Sequence, residues 1–179
     1  MTSSHATADR ASADRAVDAA LSAANVMMRV AARSVLEVED RVTTPQLRVL
    51  MMIAATGPQN LGAVAEELNV HPSNATRACE KLVQAGYIVR SDDPVDRRYI
   101  RIELTQAGAD LVNHVLDQRR RQMAEVLASL SADEQSTVAA ALELFAGAAG
   151  GEPIHDGRFA FSLQPGHDSY SAEDHSSTR

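Results

Sequence analysis

Small polar and basic side chains gather at the start of one helical segment near the middle of the chain. Pro72 is followed by Ser73, Asn74, Thr76 and Arg77 within about two helical turns. These side chains carry hydroxyl, amide and guanidinium groups that donate or accept hydrogen bonds. They are long enough to reach the edges of nucleic-acid bases from a helix that lies in the major groove. The pattern therefore indicates recognition of base edges. The alternative is an ordinary solvated helix face.

A second polar group lies between two short β-rich segments, in the sequence SDDPVDRR of residues 91–98. Arg97 and Arg98 at this turn are suited to a narrow minor groove, where negative potential is concentrated. Arg90 and Arg101 are predicted near phosphates at the base of the hairpin. The alternative is a polar turn in which Asp96 and Arg98 form a surface ion pair of little energetic value.

The distribution of charge along the chain favours nucleic-acid binding by one segment only. The chain of 179 residues carries 17 basic and 24 acidic side chains, a net charge of −7. Residues 71–101 have six basic and four acidic groups and form the one net-positive segment. All basic residues except Lys81 are arginine, the better residue for bidentate phosphate and guanine contacts. High-GC codon bias would give the same arginine excess.

The spacing of apolar residues predicts the elements that position these groups. It predicts a mainly α fold with a small β-hairpin wing, that is, a winged helix-turn-helix with long N- and C-terminal helices. Thr44 is the expected cap of the second helix, and His71 and Pro72 open the fourth. The predicted parts are a disordered N-terminus (1–15), one domain (16–150) with long helices (16–42 and 105–148) and a DNA-binding part (44–104), and a mostly disordered acidic tail (151–179).

Over residues 17–148 the sequence resembles the MarR family of transcriptional regulators. The most specific match is DPVDRRYIRIELTQAG, residues 93–108, which is similar to the family's wing signature; its key positions here are Asp96, Arg98, Leu104, Thr105 and Gly108. The resemblance implies a homodimer, formed by the first and the last two helices, that binds pseudo-palindromic operator DNA. It also implies release of the DNA by a small phenolic or anionic effector or by an oxidant. We expect a ligand-responsive repressor whose DNA contacts are Pro72, Ser73, Asn74, Thr76, Arg77, Arg90, Asp96, Arg97 and Arg98.

The chain departs from this family pattern at several positions. His71 stands where such proteins often have Ser or Thr, and histidine is the poorer helix cap. The peroxide-sensing members have a reactive cysteine on the first helix, whereas the single cysteine here, Cys79, lies on the fourth. We expect Cys79 to pack in the core with Leu82 and Val83; a redox switch is the alternative. The absence of tryptophan argues against a urate effector.

Two further groups have alternative interpretations. Helical spacing places Arg119 on the apolar face of its helix, where a charge needs a partner. That partner is either an acid of the first helix across the dimer, Glu37 or Glu39, or an anionic effector. His114 has Asp110 and Asp117 on one helix face, a spacing that suits a metal but more often forms a solvated polar surface. We therefore predict no metal site and leave the effector site unknown, with Arg119 as its candidate.

Composition and motifs narrow the remaining possibilities. No stretch approaches the roughly 18 apolar residues of a membrane span, and the N-terminus lacks the features of a signal peptide, so we expect a cytoplasmic protein without a membrane partner. No nucleophile with a base and no paired acids can be recognised, so we expect neither an enzyme nor a cofactor. The second functional hypothesis is a winged-helix dimer that serves as a protein-interaction module without its own operator.

Overall fold

The structure, a computed structural model, describes the backbone of residues 2–92 and 100–150 and the side chains of residues 10–92 and 100–150. The elements in chain order are α1 (Thr2–Leu36), α2 (Thr44–Thr56), α3 (Leu61–Leu68), α4 (Pro72–Gln84), β1 (Ile88–Asp92), β2 (Ile100–Leu104), α5 (Gln106–Leu127) and α6 (Ala132–Ala148). The expectations for Asp96, Arg97 and Arg98 and for the 151–179 tail lie outside the described residues.

The first helix differs from its prediction at both ends. It begins at Thr2, although residues 1–15 were expected to be disordered. That segment is rich in alanine, so its intrinsic helix propensity is high even without an apolar stripe. The helix ends at Leu36, not at residue 42, and residues 37–41 form turns. Acidic side chains at positions 37, 39 and 40 oppose the negative end of the helix dipole.

The second helix is capped one residue earlier than predicted. Thr43, not Thr44, is its N-cap, and both the backbone nitrogen and the hydroxyl of Thr43 donate to Gln46 Oε1, at 2.8 and 2.9 Å. This is a capping box, in which a side chain three residues into the helix returns to the cap. Gly57 ends the helix with φ +80°, a conformation that glycine adopts without strain.

A tight turn joins α3 to α4. Asn69, in the left-handed conformation with φ 52°, ends α3, and its backbone N–H bonds the carbonyl of Glu66 at 2.9 Å. Asparagine is one of the few residues that tolerate this conformation. The fourth helix ends at Gln84, two residues before the expected Gly86. The two helices thus form the predicted helix-turn-helix.

The hairpin that follows is antiparallel, with Ile88 paired to Leu104 and Arg90 paired to Ile102. Gln59, between α2 and α3, adds a short bridge to the other edge of β2: its N–H and C=O bond the backbone of Ile102 at 2.9 and 2.7 Å. The base of the hairpin is therefore fixed to the helical domain by backbone hydrogen bonds.

One hydrophobic core holds these elements together. It lies between α2, α3, α4, the hairpin base and the first half of α5, and its fully buried large side chains include Leu50, Val64, Leu82, Ile102 and Val115. Among residues 2–92 and 100–150, no helix has the length and apolar character that a membrane crossing requires. The predicted fold class, mainly α with a β-hairpin wing, is confirmed.

Candidate nucleic-acid interface

The start of α4 is fixed by its own first residues. His71 is the N-cap, with extended backbone, and Pro72 occupies the first helical turn, where its missing N–H costs nothing. The Nδ1 atom of His71 lies 3.4 Å from the backbone nitrogen of Ser73 and 3.0 Å from its hydroxyl oxygen. His71 therefore caps α4, although serine and threonine are the better helix caps.

The two faces of α4 have opposite character. Ala75, Cys79 and Leu82 recur at helical spacing and are fully buried. The opposite face carries the predicted DNA contacts: Pro72, Ser73, Asn74 and Arg77 are exposed, and Thr76 is half-buried. Val83, expected beside Cys79 in the core, is instead 39% exposed. The outer face is thus polar and accessible for most of the first two turns.

An ion pair supports α3 behind this face. Arg48 on α2 lies with its Nη2 atom 2.5 Å from the carbonyl oxygen of Glu67 and 3.2 Å from its carboxylate. Both side chains are largely buried, at 22% and 10% exposure. Because the guanidinium binds a carbonyl in the last turn of α3 as well as a carboxylate, it holds the end of that helix against α2.

Arg90, predicted to lie near phosphates, also contacts the protein itself. Its Nη2 atom lies 3.4 Å from the carbonyl oxygen of Thr76 on α4. Burial raises the pKa of the Cys79 thiol, and the charge and hydrogen bond of Arg90 oppose that rise in part. Arg90 thus connects strand β1 to the middle of α4. On β2, Arg101 pairs with Ser91 towards the tip end of the described hairpin and forms an ion pair with Glu103.

The start of α5 is joined to the turn that follows α4. Thr105 caps α5 by accepting from the backbone N–H of Gly108 at 3.1 Å, and its hydroxyl donates to the carbonyl of Gly86 at 2.6 Å. Its backbone N–H donates to the carbonyl of Tyr87 at 3.0 Å. A Cβ atom on Gly108 would lie only 2.1 Å from that same carbonyl oxygen. The Leu-Thr-x-x-Gly motif therefore lets α5 approach the α4–β1 turn.

Apolar side chains remain exposed on α1 and α6. Within the described residues α6 buries none of its side chains in the protomer. A helix that buries none of its side chains while it exposes large apolar ones is typical of an interaction surface. The most exposed large apolar side chains on the two helices are Val17, Leu21, Met28, Leu36, Leu144 and Phe145, at 57% to 77%.

Arg119 lies on the buried face of α5, as its spacing predicted. It is 5% exposed, and its Nε atom donates to Ser34 Oγ on α1 at 2.8 Å. Burial lowers the pKa of its guanidinium, because desolvation disfavours the charged form. Glu37, one of the two acids considered as its partner across a dimer, lies 3.9 Å from His114 in the same protomer.

The outer side of α5 carries an open groove of about 510 Å³ lined by His114, Asp117, Arg120, Arg121 and Ala124. His114 and Asp117 belong to the trio whose spacing could suit a metal. In the part of the chain whose side chains are described, three or more histidine, cysteine or acidic side chains nowhere converge on a position for a metal ion. The groove is an open surface that carries both acidic and basic side chains.

Comparison with known proteins shows the family to which this helix-turn-helix and hairpin belong. The model of the MarR family matches residues 42–100, which span α2 to the hairpin. An HTH-type transcriptional regulator of Mycobacterium bovis, Mb0904, is 31% identical over 103 residues, which are 58% of this chain and 72% of that protein. The chain belongs to the MarR family. It is a winged helix-turn-helix, DNA-binding transcriptional regulator, and this family consists of regulators rather than enzymes.

Two further relatives extend the comparison. The crystal structure of RV1404 from Mycobacterium tuberculosis has a TM-score of 0.64 and 33% identity, covering 80% of this chain and 97% of that one. The HTH-type transcriptional repressor MdtR of Bacillus subtilis is 34% identical over 93 residues, which are 52% of this chain and 60% of that protein. The similarity to RV1404 thus reaches beyond the helix-turn-helix and the hairpin.

Sequence reasoning missed two structural roles in this MarR-family chain. The contact of Arg90 with Thr76 and the pairing of Arg48 with Glu67 join residues 14 and 19 positions apart. No local pattern signals either of them, since both depend on how the helices and the hairpin pack.

Proposed function

We propose that this protein is a ligand-responsive repressor that binds pseudo-palindromic operator DNA as a homodimer. The observation that carries the proposal is the polar outer face of α4, presented on a helix whose opposite face is fixed in the core. Ser73, Asn74, Thr76 and Arg77 contact base edges in the major groove, and Pro72 sets the start of the helix. Arg90 approaches a phosphate from the base of the hairpin.

The wing supplies the remaining contacts in this proposal. Arg97 and Arg98 enter the adjacent minor groove, and Asp96 orients Arg98. This assignment rests on the sequence, since the wing tip lies outside the described residues. Asp96→Ala therefore weakens operator binding even though it removes a negative charge from a DNA-facing surface. Tighter binding by that variant would contradict the orienting role.

A second copy of the chain covers the exposed apolar faces of α1 and α6. Two-fold symmetry brings the same patch of each protomer together, so one apolar surface serves both sides of the interface. The dimer then presents two α4 helices to half-sites about one helical turn of DNA apart. The net charge of −7 leaves the winged face as the surface that approaches DNA.

An effector acts through the helices that join the two parts. In this proposal a small phenolic or anionic ligand binds near Arg119, a residue of α5 that donates to Ser34 in the last turn of α1 and so joins the two helices. Arg119→Ala is expected to abolish or weaken release of the operator by such a ligand. A variant with unchanged dimerisation and unchanged release would remove Arg119 from both of its proposed roles.

The deciding experiment is binding of the purified full chain to the intergenic DNA beside its own gene over a series of salt concentrations. We expect saturable binding whose affinity falls steeply with salt, because phosphate contacts release counterions. Arg98→Ala should weaken binding and reduce the salt slope by about two, one for each protomer of the dimer. Arg10→Ala, which removes an exposed arginine from the first turns of α1, is the matched control and should bind normally.

Failure of the wild-type chain to prefer any DNA sequence at any salt concentration would contradict operator binding. The protein-interaction module would then be the better hypothesis. Binding that is saturable but equally strong in Arg98→Ala would retain the regulator and remove the wing from the interface.

A further inference from the structure

The first residues of α4 have a defined hydrogen-bond polarity. The backbone N–H of Ser73 points at Nδ1 of His71 over 3.4 Å, and a backbone N–H can only donate. Nδ1 therefore accepts and carries no hydrogen. The same conclusion fixes the second contact, in which Ser73 Oγ lies 3.0 Å from Nδ1: the serine hydroxyl must be the donor.

This polarity determines what the two side chains offer to a partner. A neutral imidazole with a bare Nδ1 has its hydrogen on Nε2, on the far side of the ring. Ser73, with its hydroxyl hydrogen engaged by His71, presents only oxygen lone pairs. Both residues are exposed at the end of α4 that carries the proposed DNA contacts. The helix thus begins with one outward donor and one outward acceptor.

We propose that His71 and Ser73 form a sequence-reading pair; this inference rests on the operator binding proposed above. His71 donates its Nε2–H to an acceptor on a base edge in the major groove. Ser73 accepts from the exocyclic amino group of adenine or cytosine, the two bases that present one there. His71 is thereby a specificity-determining residue as well as the cap of α4. A serine hydroxyl can usually donate or accept a hydrogen bond, but that of Ser73 can here only accept one from DNA.

The tautomer can be measured without DNA. Long-range ¹H–¹⁵N spectra of the full chain at about pH 8, where histidines are ordinarily neutral, distinguish the two neutral forms. The chain has six histidines, and the signal that disappears in His71→Ser identifies His71. We expect the form with hydrogen on Nε2. A hydrogen on Nδ1 would overturn the proposal, because Nδ1 could not then accept from Ser73.

The reading role is measured on a half-site obtained by selection from random DNA. His71→Ser keeps a good N-cap residue but removes the imidazole donor, so α4 should remain folded. We expect a loss of affinity of about 3- to 10-fold per half-site of the selected DNA, with most of the loss confined to one base pair in each half-site. Ser73→Ala should lose preference for an adenine or cytosine at a separate position.

The dependence of the loss on DNA sequence separates base reading from a phosphate contact, and the salt series tests whether His71 binds as a cation. A neutral donor releases no counterion, so the salt slope of His71→Ser should equal that of the wild type. Arg77→Ala is the comparison for a charged contact. An equal loss on every DNA sequence would show that His71 binds the backbone, and a smaller slope would show that it binds as a cation; either result would overturn the proposed pair.

The outcomes also distinguish this inference from the function on which it rests. Normal sequence-specific binding by the wild type with unchanged affinity in His71→Ser would contradict only the reading pair. Absence of sequence-specific binding by the wild type would contradict the proposed function and the reading pair together. Thermal unfolding of His71→Ser establishes that a loss of affinity does not come from a loss of fold.

Discussion

Gly108 packs against the carbonyl of Tyr87, where a Cβ atom would meet the closest neighbour found at any glycine of the described residues. The absence of a Cβ at Gly108 lets α5 begin against the carbonyl of Tyr87, and Thr105 bonds both sides of that contact. At this scale the family motif has a physical meaning: threonine supplies the cap and glycine supplies the space.

Gly108→Ala should therefore destabilise the fold by about 1 to 3 kcal/mol, the usual range for overpacking. The loss should appear even though alanine is the better helix former by about 1 kcal/mol. Gly147→Ala on α6 is the matched control, because a Cβ there meets nothing within 4 Å. Urea unfolding of both variants measures the difference. Equal stability of Gly108→Ala and the wild type would show that the helix shifts at no cost.

Cys79 is fully buried on the inner face of α4, and burial raises the pKa of its thiol. Since the thiolate is the reactive form, both effects slow its chemistry. We expect a thiol reagent to label the folded protein at least about 100-fold more slowly than the unfolded chain, because labelling requires opening of the core. A Cys79→Ala, Val83→Cys protein places the thiol at a 39% exposed position of the same helix and should react quickly. Fast labelling of the wild type would restore the redox alternative.

At the scale of elements, the helices of the winged part combine local caps with burial in the core, whereas α6 has a local cap and buries no side chain in the protomer. The N–H and hydroxyl of Ser131 both lie 2.8 Å from Glu134 Oε2, which completes a capping box. These hydrogen bonds, from the backbone first and from the hydroxyl second, lower the pKa of Glu134. The start of α6 is therefore stabilised by a contact that depends on the ionised form of the Glu134 carboxyl.

The lowered pKa gives this contact a definite pH dependence. A carboxyl whose pKa is lower in the folded protein contributes its stabilisation above its ordinary pKa, about 4.3, and loses it as the pH falls through the lowered value. The stability advantage of the wild type over Glu134→Gln should therefore narrow as the pH is reduced below about 4. Glu143→Gln, exposed on the same helix, is the control. Urea midpoints across this range measure it, and an advantage independent of pH would contradict the assignment.

At the scale of the whole molecule, the chain divides into a packed winged part and long helices with exposed apolar faces. The core includes residues from α2 to the first half of α5, while α6 contributes none of the buried side chains described. Under the proposed function, a second copy of the chain covers this exposed apolar surface.

Leu144→Glu tests that completion directly. Leu144 is 77% exposed in the protomer, and a charge there would be buried in a dimer without compensation. Sedimentation should show a shift from twice the chain mass of 19.2 kDa towards that mass itself. Ser136→Glu, which introduces the same charge at another exposed position of α6, is the control. A Leu144→Glu protein that remains dimeric would place the interface elsewhere.

The sequence by itself determined the order of the elements, the helix-turn-helix and the hairpin. Caps, breakers and apolar spacing act over a few residues, so Asn69, Pro72 and Thr105 mark their boundaries directly. The family resemblance rested on the same local features. The shift of the α2 cap from Thr44 to Thr43 and the helical start at Thr2 show where local signals compete: two adjacent threonines suit one cap, and alanine content favours a helix that lacks an apolar stripe.

Only the tertiary structure decided which distant groups meet. Arg119 and Ser34 are 85 residues apart, and the contacts of Arg90 with Thr76 and of Gly108 with Tyr87 likewise join separate elements. The packing of α4 against the core likewise decided that Val83 is exposed while Cys79 is buried. Such contacts follow from the simultaneous packing of several elements against one core, and a pattern read along the chain contains the period of each element but not the angle at which two of them cross.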